Sequence, residues 1–432
     1  MQDLRRLAEM LREIEEQMVC CMKCGMCQAA CPLYAQTGRE ADVARGKIAL
    51  LEDLSREILN DPVGVQKRLD RCLLCGSCQA ACPSGVKVMQ ILIRARLIIN
   101  TYLGLPFLQR LIFRGMLSRP GIFDKLTKIA AMLQAPFVRS SNRALGSSCA
   151  RIQTSFLKDR HFPSLAKTPL HSSRQSLETP RGSSNLKVGV FTGCLVDKLF
   201  PHVGEKVLDL LGREHVGIFA PMDIVCCGIP SLAGGDRKSF TRLVKRNLQI
   251  FEQGEFDYLI TACATCTSTI KEIWPLMEDM FTPEENARIN ALADKTLDVN
   301  QFLTDKLGIS SLPGKGGEPK KVTYHDPCHL RKSLGVVRQP RELIAKNPDF
   351  QLQEMAEPER CCGMGGSFNL KHYDLSRKIG EKKRNNILST DADIVSTSCP
   401  ACMVQLIDLL SESGRDISVK HPVELYVDDT RY

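Results

Sequence analysis

Residues 21–32 read CMKCGMCQAACP, and residues 72–83 read CLLCGSCQAACP, the same arrangement 51 positions later. Each run spaces its thiols as C-x2-C-x2-C-x3-C and places a proline after the last. The thiols are Cys21, Cys24, Cys27 and Cys31, then Cys72, Cys75, Cys78 and Cys82. A cubane [4Fe–4S] cluster offers four iron corners, each taking one thiolate. Three thiolates at i, i+3 and i+6 can wrap one face of such a cube in a tight loop. Gly25 and Gly76 let the backbone turn close to the sulfides, and Pro32 and Pro83 mark where the chain leaves. Structural zinc is the competing chemistry, but it usually takes two C-x2-C pairs across a longer insert.

The second half of the chain carries another repeat. Cys194 is followed by Cys226-Cys227-Gly228 and then Cys263-x2-Cys266. Cys328 is followed by Cys361-Cys362-Gly363 and then Cys399-x2-Cys402. The gaps are 31 and 34 residues in the first copy and 32 and 35 in the second. Matched order at matched spacing implies a duplicated unit. Five thiols per copy exceed the four that tetrahedral zinc takes.

The elements that must hold these thiols follow from the flanking residues. KVGVFTGC, DYLITACATC, KVTYHDPC and DIVSTSCPAC each read as a short apolar strand ending in cysteine. Helix-forming sequence follows, TSTIKEIWPLM after Cys266 and MVQLIDLL after Cys402. Cysteines between strand ends and helix starts fit an open α/β sheet with its site at the carboxyl edge. A helix N-terminus there also favours thiolate over thiol.

The first two runs resemble the two-cluster bacterial ferredoxins, where the fourth cysteine of each run ligates the other cluster. That resemblance assigns Cys21, Cys24, Cys27 and Cys82 to one cubane, and Cys72, Cys75, Cys78 and Cys31 to the other. The insert between the runs departs from the small β-rich ferredoxins. ARGKIALLEDLSREIL and VGVQKRLDRC have helical periodicity, broken at Asp61-Pro62. The expected domain is therefore of the α-helical ferredoxin type.

With 432 residues the chain is long enough for several domains, and its hydrophobic (43%) and charged (25%) fractions are those of a folded globular protein. The net charge of +9 is unevenly placed: Thr101–Lys187 holds 14 Lys or Arg against 3 Asp or Glu, an excess of 11 that leaves the rest near −2. The sole Trp and the few Tyr are not interleaved with the basic residues, so no nucleic-acid partner is expected. The N-terminal MQDLRRLAEMLREIEEQM is a charged amphipathic helix without the apolar segment of a secretory signal. The most apolar stretch is cut by Arg94, Arg96 and Arg110, too often for a spanning helix. A cytoplasmic protein is expected, with peripheral contact on the inner face of the cell membrane open to it. Twenty cysteines in a reducing compartment point to metal or redox chemistry rather than disulfides.

His325 and His329 flank Cys328 in YHDPCHL and are expected to contact the metal ligands from outside rather than to ligate. The glycine pairs Gly234-Gly235 and Gly365-Gly366 are expected to let the backbone approach a cluster. Cys20 and Cys149 fall outside every motif and read as plain thiols. No G-x-G-x-x-G or P-loop is present, so no flavin is expected in this chain.

The whole pattern, two ferredoxin runs followed by two Cys-Cys-Gly units, resembles the glycolate oxidase iron–sulfur subunit family. It is also similar to iron–sulfur subunits of D-lactate dehydrogenases, to the C subunit of anaerobic glycerol-3-phosphate dehydrogenase and to heterodisulfide reductase subunits. The resemblance covers most of the chain outside 101–186. It implies a helical ferredoxin domain (1–100), a basic helical connector ending in a Ser/Pro-rich linker (101–186), a first cysteine-rich α/β unit (187–275), a helical connector (276–319) and a second cysteine-rich unit (320–432). It implies two cubane clusters and one or two further [4Fe–4S] clusters, non-cubane in some relatives. Those would sit on Cys194, Cys226, Cys227, Cys263 and Cys266, and on Cys328, Cys361, Cys362, Cys399 and Cys402. It implies electron transfer from an FAD-containing hydroxyacid dehydrogenase subunit to a quinone or an electron-transferring flavoprotein. The rival implication is a catalytic chain that reduces a disulfide at a Cys-Cys-Gly cluster.

Overall fold

The computed structural model describes residues 4–142, 145–150 and 160–427. The chain forms two compact units. One comprises Met1–Ser118, Gly228–Arg242 and Gly363–Gly380; the other comprises Arg119–Cys227, Leu243–Cys362 and Glu381–Tyr432. The stretch after each Cys-Cys pair thus belongs to the unit that holds the ferredoxin runs, a division the linear reading does not contain.

In the first unit the described residues form helices and no strand. Leu4–Arg12 buries Leu7, Ala8 and Leu11, and Ala44–Ser55 buries Ile48, Leu51 and Leu54. Each such side chain contributes about 1.5–3 kcal/mol by leaving water. The break at Asp61-Pro62 is a helix start: the Asp61 carboxylate accepts the Gly64 N–H at 2.8 Å, and Pro62 opens Pro62–Asp70. Val88–Leu103 is buried over much of its surface, and it anchors the first inserted stretch. Arg96 Nη1 donates to the Ala233 carbonyl at 2.9 Å, and Arg114 pairs with Asp236 at 3.1 Å. A Cβ on Gly235 would lie 2.1 Å from Asn100 Nδ2, and one on Gly365 would lie 3.1 Å from Leu73. Gly235 is thus small because the helix Val88–Leu103 packs on it, and Gly365 because the loop of the second ferredoxin run passes it at Leu73. No single described helix is long and apolar enough to cross a membrane.

The second unit is α/β. Its short antiparallel sheet joins β1 (Val138–Asn142), β2 (Ser147–Ala150) and β3 (His161–Pro163). The next sheet holds β4 (Leu177–Glu178), β5 (Lys187–Phe191), β6 (Gly217–Ala220), β7 (Tyr258–Thr261) and β8 (Thr296–Asp298), in the order β4-β6-β5-β7-β8. All its pairs are parallel except the edge strand β4. The last sheet holds β9 (Lys320–Tyr324), β10 (Phe350–Leu352), β11 (Ile394–Ser396) and β12 (Ser418–Lys420), all parallel, in the order β10-β9-β11-β12. The same order, second strand, first, third, fourth, therefore recurs in both copies. Val188, Val190, Leu259 and Ile260 in one, and Val322, Ile394 and Val395 in the other, are buried, as parallel strands covered on both faces require.

Two stretches expected to be helical contain strands. The 101–186 connector holds β1 to β4, and 276–319 holds β8, the fourth strand of the first copy. These strands are two to five residues long, too short to impose a readable alternation.

Candidate functional site

In the first unit two cavities collect the ferredoxin cysteines. One is lined by Cys21, Cys24, Cys27, Cys78 and Cys82, the other by Cys31, Cys72, Cys75 and Cys78. The fourth cysteine of each run thus lines the cavity of the other run. Both loops bend alike. Lys23 and Leu74, each just before the second cysteine of its run, take left-handed φ of 55° and 53°. A non-glycine residue pays about 1 kcal/mol for this, so the loop shape is imposed rather than relaxed. Backbone N–H groups already point at sulfur: Tyr34 N–H donates to Cys31 Sγ and Leu74 N–H to Cys72 Sγ, both at 3.4 Å. Burial pushes the Cys31 thiol up to about 11 and the Cys78 thiol well above its ordinary value. Thiols so buried become thiolates only with a cation to hold them, which is what a metal cluster provides. Soft sulfur donors, at least four to a cavity, fit iron–sulfur clusters.

Sequence reasoning missed two cations here. Arg45 lines the first cavity and donates to the Lys23 carbonyl at 3.0 Å. Lys47 lines the second, is almost fully buried, and donates to the Asp42 carbonyl. Burial holds the Lys47 ammonium below its ordinary range, opposed by the nearby Cys72 and Cys31. The signal was present: Arg45 and Lys47 open an otherwise apolar helix, ARGKIALL.

In the second unit the thiols stand where strands give way to helices. Cys194 follows β5 and Cys263 follows β7; Cys328 follows β9 and Cys399 follows β11. In each sheet these are the two central strands, where the strand order reverses and an open α/β sheet forms its crevice. Cys263 caps the helix Ala264–Ser268, and Cys399 caps Pro400–Leu410. Cys226, Cys227, Cys263 and Cys266 are buried, as are Cys361, Cys362, Cys399 and Cys402, and all are free thiols. The glycine after each pair has φ of 95° (Gly228) and 93° (Gly363), which lets the chain turn away directly after two adjacent thiols. Asn247 Nδ2 holds the Cys226 carbonyl at 3.1 Å, and Trp274 Nε1 holds that of Cys227 at 2.9 Å.

The thiols touch in sequence. Cys194 Sγ lies 4.0 Å from Cys226 Sγ. Cys226 meets Cys227, Cys227 meets Cys266, and Cys266 meets Cys263. Cys263 then meets Cys399 of the other copy, and the line continues through Cys402 and Cys362 to Cys361. Nine thiols therefore form one continuous series, where the sequence predicts two separate groups of five. Cys328 Sγ lies 4.0 Å from Lys332 Nζ. The copies are also joined by the Ala264 N–H to the Ser398 carbonyl (3.0 Å) and by Asn300 Nδ2 to Ser398 Oγ (3.0 Å). Contact with Cys263 and Cys402 lowers the Cys399 thiol, aided by Thr265 Oγ1 at 3.4 Å. Contact with Cys194 and Cys227, followed by burial, raises Cys226.

His325 is fully buried, neither ring nitrogen has a hydrogen-bond partner, and a nitrogen and the sulfurs of Cys362 and Cys402 lie within 4.8 Å of one another. Next to it, buried Asp326 is held by Arg331 (2.5 Å) and Arg341 (2.8 Å), fixing the turn into Cys328. His329 is elsewhere occupied, its Nδ1 3.2 Å from Thr265 Oγ1. Cys20 is exposed, and Cys149 lies 3.2 Å from Arg139 Nε. A further group, Asp124, His171 and Asp197, surrounds the Lys198 ammonium, which lies 2.5 Å from Asp124 and 2.6 Å from Asp197. That group is an ion-pair cluster whose cation is already in place.

The 4Fe-4S dicluster domain model matches residues 17–86, and the Cysteine-rich domain model matches 188–271 and 322–407. The chain is similar to the probable glycolate oxidase iron–sulfur subunit of Bacillus subtilis (28% identical, covering 91% of this chain and 89% of that one). It is similar to the glycolate oxidase iron–sulfur subunit of Escherichia coli (26%, 98% and 97%). It is also similar to lactate utilization protein A of an Exiguobacterium species (30%, 55% and 96%). Paired thiol cavities, a doubled cysteine-rich sheet and these likenesses agree: the chain belongs to the family of glycolate oxidase iron–sulfur subunits and lactate utilization protein A.

Proposed function

We propose that the chain is the electron-transfer subunit of a flavin-dependent 2-hydroxyacid dehydrogenase acting on D-lactate or glycolate. The observation that carries this reading is the gathering of seventeen cysteines, eight in two cavities and nine in one series across the two cysteine-rich copies. Cys21, Cys24, Cys27 and Cys82 would hold one cubane, and Cys72, Cys75, Cys78 and Cys31 the other. Each cysteine-rich copy would hold one further [4Fe–4S] cluster on its five thiols. Bound there, such clusters supply one-electron storage.

The protein's own residues do the rest. The thiols fix the position of each centre. Arg45 and Lys47 supply positive charge beside two sets of thiolates, and the Tyr34 and Leu74 amides donate to sulfur, both of which tune potential. In the second unit, burial excludes water from eight of ten thiols. The hydroxyacid is oxidised on an FAD-containing partner, and the electrons leave to a quinone or an electron-transferring flavoprotein.

The test is the complex purified anaerobically from its native host. Flavin should co-purify, and D-lactate or glycolate should bleach the cluster absorption. A flavin-free chain that neither acid reduces, but that reduces a disulfide when given an artificial donor, would replace this reading with a disulfide-reductase one.

A further inference from the structure

The strongest feature left unused is the helix Pro120–Phe137 in the second unit. Ile122, Leu126, Ile129, Met132, Leu133 and Phe137 are 41–65% exposed and recur at helical spacing along one face. Another face is fixed to the unit. Ala131 is buried, Gln134 exchanges two 3.0 Å hydrogen bonds with the Leu165 backbone, and Asp124 is held by Lys198. The exposed stripe is therefore the outer face of a docked helix. Lys125 and Lys128 are exposed on the same helix. Across 119–142 the sequence has four Lys or Arg (119, 125, 128, 139) and one acid, Asp124, a net +3.

We propose that the outer face of Pro120–Phe137 seats the protein on an anionic lipid surface. Six large apolar side chains in one stripe exceed what a soluble surface leaves uncovered without use. An amphipathic helix with lysines beside its apolar stripe lies in the plane of a bilayer, the apolar groups below the headgroups and the ammonium groups among the phosphates. The charge selects the occupant: the only acid in the stretch is already paired, so the outward field is positive and an anionic surface complements it. The inference is independent of which donor reduces the chain.

The test is co-sedimentation of the anaerobically purified holoprotein with vesicles. Phosphatidylcholine vesicles containing phosphatidylglycerol should bind it, pure phosphatidylcholine vesicles should bind it about tenfold or more weakly, and added salt should release it. Leu126→Glu with Ile129→Glu should abolish binding while iron content stays as in the wild type, because both residues are exposed. Lys125→Glu with Lys128→Glu should weaken binding and flatten its salt dependence. Absence of wild-type binding, equal binding to both vesicle types, or unaltered binding by the Leu126/Ile129 variant would overturn the proposal. So would a variant that keeps vesicle binding but loses its flavoprotein partner.

Discussion

In the first cysteine-rich copy the chain leaves β5 through Phe191, Thr192 and Gly193 to reach Cys194. In the second it leaves β9 through His325, Asp326 and Pro327 to reach Cys328. The strand order is the same and the cysteines take the same stations, yet the three residues before the leading thiol are apolar or small in one copy and polar or rigid in the other. The fourth strands end with a similar contrast. Asp298, the last residue of β8, caps the next helix by accepting the Asn300 N–H at 2.9 Å, and His421, just after β12, does so by accepting the Val423 N–H at 3.2 Å. Duplication has kept the backbone that presents thiols and changed the groups that set their surroundings. The scaffold answers to sheet geometry, while the surroundings answer to the chemistry of each site.

The largest expected effect separates the copies by metal. With four clusters the chain holds about sixteen irons, and with the cubanes alone about eight. Replacing Cys226 and Cys227 by serine should remove about four irons, and replacing Cys361 and Cys362 another four. If only one double substitution changes the iron and sulfide content, the copies are not equivalent sites.

Trp274 and Leu410 lie eight residues after the last cysteine of their copies, and both are buried. Only Trp274 also donates to the carbonyl of a cysteine, Cys227. Trp274→Ala should cost about 4 kcal/mol and Leu410→Ala about 3 kcal/mol. Denaturant unfolding of the anaerobic proteins would show it, and equal costs would deny the first copy its special prop.

The two caps should respond to pH in opposite directions. Burial pushes the Asp298 carboxyl from 3.8 up to about 7. The folded state thus keeps a proton that the unfolded chain releases, so this contribution is full below pH 3.8 and lost as pH rises to about 7. Burial pushes His421 from 6.5 down to about 4, so its contribution is full above pH 6.5 and lost as pH falls to about 4. At 1.36 kcal/mol per pKa unit the Asp298 window spans about 4 kcal/mol and the His421 window about 3 kcal/mol. Thermal midpoints across pH should fall less on the alkaline side in Asp298→Asn and less on the acid side in His421→Asn.

The smallest effect concerns His325. A ring N–H of His325 given to a ligating Cys362 or Cys402 thiolate, both within 4.8 Å, would contribute about 1.5 kcal/mol, equivalent to about 60 mV for one electron. His325→Phe, which copies Phe191, should lower the potential of one centre by about that amount in an EPR-monitored titration. A shift in no centre would make the contrast between the copies one of packing alone.

The thiol stations were readable because ligand spacing is a local property. C-x2-C-x2-C encodes a loop, and VGVF or YLIT before a cysteine encodes a buried strand. The helix start at Asp61-Pro62 was readable for the same reason. The contact of Cys263 with Cys399 was not, since it joins residues 136 positions apart through the packing of two sheets. Nor were β8 and β12, three residues each, whose pairing comes from the strands beside them. Lys47 stood in plain view, but nothing in ARGKIALL says that its ammonium turns inward toward thiols rather than out to water.

The Cys263–Cys399 contact also bears on how the protein matures in the presence of oxygen. Before metal arrives, a thiol prone to deprotonation at Cys399 faces a second thiol across the seam between copies. That is the arrangement in which an oxidised sulfur condenses with its neighbour. One such bond would withdraw a ligand from both sites at once. If both copies hold a cluster as proposed, loading iron would be a race against oxidation that they win or lose together.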